Sequence, residues 1–134
     1  MQVTITDDCQ MYIRLKEFNS HKFESSLAEV KCKLLYDSFN NFVGIKIMSQ
    51  LGETDKNIEL PELGSIEFPI HNADVMQNKN EIVIRFNKDS IIYKEVEDEC
   101  ILDLCPSGIL GIEPMPYMNI GGKLIIEPFL RGNV

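Results

Sequence analysis

Apolar and polar residues alternate with a period of two along most of this chain. Val3 and Ile5, then Met11, Ile13 and Leu15, then Ile82, Ile84 and Phe86, then Leu102 with Leu104 beside Ile101 with Asp103, and finally Leu124 and Ile126, each place apolar side chains on one side of an extended segment. That is the pattern of strands with one buried face. Asn40-Asn41, Asn78-Lys79-Asn80, Asn87 to Ser90, Pro106-Ser107-Gly108 and Asn119 to Gly122 separate them. These residue types tolerate positive φ or bond their own backbone, so they read as turns. The fold class expected is mostly β, with antiparallel sheets.

Residues 26–36 fit two periods. Ser26-Leu-Ala-Glu29 has capping-box spacing, and Leu27, Val30, Leu34 and Leu35 would line one face of a short helix. As a strand, the same stretch puts Val30, Cys32, Leu34 and Tyr36 on one side and Lys31 and Lys33 on the other. An internal repeat favours the strand.

That repeat runs from residues 1–48 to residues 81–118. Tyr12-Ile-Arg-Leu15, Glu29-Val-Lys-Cys-Lys-Leu34, an Asn40-Asn41 turn and Val43-Gly-Ile-Lys-Ile-Met48 come first. Val83-Ile-Arg-Phe86, Glu95-Val96 with Glu99-Cys-Ile-Leu102, a Pro106-Ser107-Gly108 turn and Leu110-Gly-Ile-Glu-Pro-Met115 follow in the same order. Segment 49–80, with Pro61, Gly64 and Pro69, reads as a connection carrying one or two edge strands. One domain of 134 residues is expected, built from two similar β units, because a chain of this length supports one sizeable core.

Ile5-Thr-Asp-Asp-Cys-Gln-Met-Tyr-Ile-Arg-Leu15, the strand Val30 to Asp37, and Asn41-Phe-Val-Gly-Ile-Lys-Ile47 resemble the small bacterial family catalogued as domain of unknown function 2283. The second copy is similar, with Pro114 where the family has Ile. The resemblance implies a compact β unit with no established activity, from a family whose members are sometimes encoded beside small toxins. It carries no catalytic residues over.

Charge narrows the partners. The formal charge is −8, and residues 1–48 contribute nothing to it, since six acids (Asp7, Asp8, Glu17, Glu24, Glu29, Asp37) meet six bases (Arg14, Lys16, Lys22, Lys31, Lys33, Lys46). The excess gathers in the second half, where Glu95, Glu97, Asp98 and Glu99 fall within five residues and Asp103 and Glu113 follow. Such a surface repels phosphate backbones and anionic lipid and attracts basic proteins. No apolar stretch approaches the ~20 residues of a bilayer span, and Met1 to Asp8 has neither a basic n-region nor an apolar core. A secretory leader is therefore not expected.

Candidate chemistry is sparse. Cys9, Cys32, Cys100 and Cys105 contain no Cys-x-x-Cys and fit reduced, cytoplasmic thiols, with no metal site and no cofactor expected. His21 and His71 sit in polar stretches and read as solvated loop histidines, and no Gly-x-Ser-x-Gly elbow is present. Gly121-Gly-Lys123 lacks the spacing of a phosphate loop. Arg14 and Arg85 hold equivalent places in the two copies, so two guanidinium forks could face a shared cleft and clamp an anion.

The function expected from these features is that of a non-enzymatic acidic inhibitor of a basic, toxin-like protein, as an immunity protein or antitoxin is. Glu95, Glu97, Asp98, Glu99, Asp103 and Glu113 would face the partner. The alternative is a protein that sequesters an anionic, nucleotide-type ligand through Arg14 and Arg85. Edge strands pairing between copies would make a homodimer.

Overall fold

A computed structural model describes residues 1–5, 11–51, 57–58, 60–67 and 72–115. Within them the chain forms ten strands: β1 (Gln2–Ile5), β2 (Met11–Arg14), β3 (Ser25–Tyr36), β4 (Phe42–Met48), β5 (Gln50–Leu51), β6 (Asn57–Ile58), β7 (Asp74–Gln77), β8 (Glu81–Arg85), β9 (Lys94–Cys105) and β10 (Gly108–Met115). The expected β class is borne out, and no described residue is helical. Accordingly, among the described residues no helix is long and apolar enough to cross a membrane. The strand expected at Leu124 and Ile126, the Asn119 to Gly122 turn, Cys9, His71 and positions 116–118 of the second unit lie outside the described residues.

Eight strands form one antiparallel sheet in the order β1-β2-β10-β9-β3-β4-β8-β7, and β5 pairs with β6 separately. The sheet curls. Its inner face gathers Met11 and Ile13 of β2, Cys100 and Leu102 of β9, Val30, Cys32 and Leu34 of β3, Ile45 and Ile47 of β4, and Ile82 and Ile84 of β8 into one buried cluster. The cluster runs from Ile13 of β2 to Ile84 of β8, with four strands between them. Burying a side chain of this size contributes about 1.5–3 kcal/mol. Of the 49–80 connection, β7 forms one edge of the sheet, as expected of an edge strand.

Strand order also shows how the two sequence units are deployed. β2 pairs with β10 and β8 pairs with β4, so the first strand of each unit lies beside the last strand of the other. β3 and β9 pair along their length at the centre. Strands of the two halves thus interleave in the sheet.

The ambiguous stretch 26–36 is strand β3, and a bulge explains its helical spacing. Leu27 stands opposite Leu102 and Val30 opposite Cys100, so three steps on β3 match two on β9. Ala28 and Glu29 absorb the extra residue, Glu29 with a φ of 56°. Leu27 and Val30 thus point to the same side three residues apart, as they would on a helix turn.

Bulges account for the repeated apolar-Gly-Ile motif as well. Val43 and Leu110 are each the unpaired extra residue of their strand, between Phe42 and Gly44 and between Ile109 and Gly111. Freed from the ladder, the Val43 carbonyl accepts from Phe86 N at 2.9 Å and the Leu110 carbonyl from Leu15 N at 2.9 Å.

Residues 60–67 cross one end of the curled sheet. Leu63 is buried there, its amide donating to Gln77 Oε1 at 2.9 Å while Gln77 Nε2 donates to the Pro61 carbonyl at 2.9 Å. The wholly buried Lys16 sends Nζ to the carbonyls of Leu63, at 2.8 Å, and Ser65. Gly64, at a φ of +67°, lies so close to the Ser107 carbonyl that no side chain would fit.

Candidate functional site

Alternation along β9 divides the six predicted acids. Cys100 and Leu102 point into the core, so Glu95, Glu97, Glu99 and Asp103 project from the outer face; Glu113, opposite Ile101 on β10, projects with them. Asp98 stands on the other side. Desolvation by burial raises its carboxyl above the ordinary range, which is unlike an acid displayed to a partner.

The outer face is a ladder of opposite charges rather than a purely negative patch. Lys31 lies opposite Glu99 and bonds it at 3.0 Å; Lys33 lies opposite Glu97. Lys46 on β4 reaches across β3 to Glu95 at 2.6 Å, with Lys33 3.9 Å from the same carboxylate. The Lys46 hydrogen bond, with the charges of Lys46 and Lys33, holds Glu95 below the usual carboxylate range. Asp103 is engaged differently, accepting from Tyr12 at 2.8 Å and Ser26 at 2.6 Å. Glu97, like Glu95, is exposed, and the cross-strand neighbour of Glu97 is Lys33. A groove of about 560 Å³ is lined by Lys31, Lys33, Met48, Glu97 and Glu99 with Cys32 and Asp98.

Large apolar side chains are exposed where β3 and β9 reach Tyr36 and Lys94. Phe39, Ile91 and Tyr93 are 83%, 81% and 74% exposed. Tyr93 N donates to the Tyr36 carbonyl at 2.8 Å, and Lys94 Nζ donates to Asn40 Oδ1 at 3.0 Å. These contacts bring the β8–β9 loop against the turn that carries Phe39.

Arg14 and Arg85 do not share a cleft. β10, β9, β3 and β4 lie between their strands, and both stand on the outer face. The Arg14 guanidinium sits 4.2 Å from the Phe18 ring centroid, and Arg85 bonds Asp74 at 3.0 Å. Equivalent places in the two units thus lead to opposite flanks, because the first strands pair at the outside of the sheet.

At the end crossed by residues 60–67, the structure assembles groups that the sequence keeps apart. His21 Nε2 lies 2.5 Å from Glu67 Oε2, and its Nδ1 lies 3.1 Å from Ser107 Oγ. Cys105 Sγ is 3.4 Å from the same hydroxyl. His21, expected to be a solvated loop histidine, is instead only 18% exposed at its side chain. Its partners stand 46 and 86 residues away, and no local motif joins them; the one available signal was a histidine and an exposed turn serine in the same chain. Among the described residues no group of three or more His, Cys, Asp and Glu is placed to hold a metal ion.

Compared with family models, curated proteins and solved structures, the chain matches none.

Proposed function

We propose that the chain is an acidic protein-docking module that neutralises a basic, toxin-like partner, in the manner of an immunity protein or antitoxin. One observation carries the reading: Glu95, Glu97, Glu99, Asp103 and Glu113 share one face, centred on the longest strand pairing of the sheet. Carboxylates on a rigid strand lose little freedom when they meet cationic side chains, and their field steers the encounter. Lys31, Lys33 and Lys46 lower the net charge of this face but fix Glu95 and Glu99 in place. Glu97 would then lead the contact, with Phe39, Ile91 and Tyr93 as apolar anchors, since anchors of interfaces are enriched in aromatic side chains.

A two-step experiment tests this. Proteins retained by the wild-type chain from its host are identified, and the basic one is purified. Association is then timed against wild type, Glu97→Lys and Tyr93→Ala over a range of salt. Glu97→Lys should slow association most at low salt, and Tyr93→Ala should speed dissociation. Unchanged rates in both variants would exclude this face as the docking surface. Anion sequestration through Arg14 and Arg85 gains no support from two guanidinium groups on opposite flanks.

A further inference from the structure

Three segments meet around His21: the loop between β2 and β3, the crossing segment 60–67, and the Pro106–Ser107 turn between β9 and β10. Glu67 accepts from Glu17 N at 2.7 Å and faces His21 Nε2 at 2.5 Å. The Glu17 hydrogen bond first, then that of His21, hold its carboxyl below the usual range, so it is ionised near neutral pH. A carboxylate can only accept. The proton of the neutral imidazole therefore sits on Nε2, and the lone pair of Nδ1 faces the Ser107 hydroxyl at 3.1 Å.

We propose that Ser107 is a nucleophile, with His21 as its general base and Glu67 as the group that positions the base, and that this site takes the acyl group of small esters. A nucleophile, a base and an orienting carboxylate in series are recognised by roles and distances rather than by chain order. The separations here fall within hydrogen-bond reach at both links. Ser107 is exposed on its turn, so a substrate carbonyl can approach it. Its backbone is fixed, because Gly64 packs on the Ser107 carbonyl and Ile109 N donates to the Glu62 carbonyl at 3.0 Å. Phe18 and Phe23 are exposed in the loop that carries His21.

In the reaction, Ser107 Oγ bonds to the ester carbonyl carbon as its proton passes to His21 Nδ1. The carbon–alkoxide bond then breaks, and the leaving alcohol takes that proton. Water, deprotonated by the same nitrogen, attacks the acyl-serine, releases the carboxylic acid and restores the hydroxyl. Glu67 keeps its charge throughout and stabilises the imidazolium through Nε2–H.

Diisopropyl fluorophosphate tests the first step, since the serine oxygen bonds to phosphorus and fluoride leaves. With the full chain, peptide mass spectrometry should show Ser107 modified far faster than the exposed Ser38. His21→Ala should slow the modification by about 100-fold or more, the scale of general-base catalysis, with added imidazole restoring part of the rate. Glu67→Gln should slow it while melting within the same range as the Ser107→Ala variant. Modification of Ser107 no faster than of Ser38 in the wild-type chain would overturn the proposal, and this comparison does not depend on any variant folding. So would a wild-type rate in folded His21→Ala.

Discussion

The Tyr12 phenol lies over Gly111 and donates to Asp103 Oδ2 at 2.8 Å, so a side chain of β2 reaches β9 across the whole width of β10. Only a residue without Cβ leaves room for the ring beneath this bond. Burial, and then the Asp103 bond, push the Tyr12 hydroxyl above its ordinary range. Tyr12→Phe should therefore cost about 1 kcal/mol, the net worth of one such bond. Gly111→Ala should cost more, about 1–3 kcal/mol or above, because the ring must leave its place. Urea unfolding of both variants measures the difference.

Glu95 and Asp98, both on β9, should respond to pH in opposite senses. Glu95 has a depressed folded-state pKa, so its contribution is present above the ordinary carboxylate range and is lost as pH falls through the folded value. Asp98 has a raised one, so folding favours its protonated form and its contribution falls as pH rises above the ordinary range. Glu95→Gln should lower the melting temperature at neutral pH, and Asp98→Asn should raise it. Both differences should shrink toward pH 3 in a series of thermal melts.

Lys16 should act as a pin for the crossing segment. Its ammonium is buried and feeds two carbonyls of residues 60–67. Lys16→Met keeps the packed stem and leaves both acceptors without that donor, at about 1–3 kcal/mol for a buried group. Hydrogen exchange should quicken first at Leu63 and Ile109, whose amides bond across this segment. Uniform quickening over the sheet instead would mean that Lys16 supports the core as a whole.

Thiols of the core should stay silent while the sheet is closed. Cys32 and Cys100 are buried and free, and the Cys32 hydrogen bond together with burial raises the Cys100 thiol far above its ordinary range. The thiolate is the reactive form. Iodoacetamide should therefore leave both unmodified in the native chain and reach them only at the rate of unfolding, as peptide mass spectrometry would show.

How far the sequence was legible depended on whether a signal was local. β2 and β8 are plain in Met11-Ile13-Leu15 and Ile82-Ile84-Phe86, since alternation needs no partner to be seen. β3 was ambiguous for a physical reason: the bulge at Ala28 and Glu29 inserts one residue, which converts a period of two into a spacing of three. The Val43-Gly44 and Leu110-Gly111 motifs were visible as a repeat, but their meaning, a bulge whose carbonyl is freed to bond Phe86 or Leu15, lies in pairing. Five of the six acids fall on one face because their strand positions set the parity. Their lysine partners on β3 and β4, and the meeting of His21, Glu67 and Ser107, depend on which strands become neighbours, and composition carries nothing of that.

The interleaving of the halves has a consequence for synthesis on the ribosome. Lys31 and Glu99 are cross-strand neighbours 68 residues apart, and β2 waits for Gly111 and Ile112 before its second edge is covered. Nascent β2, β3 and β4 can pair locally with β1 and with each other, but their remaining edges wait for β10, β9 and β8, a dependence on distant pairing that slows folding.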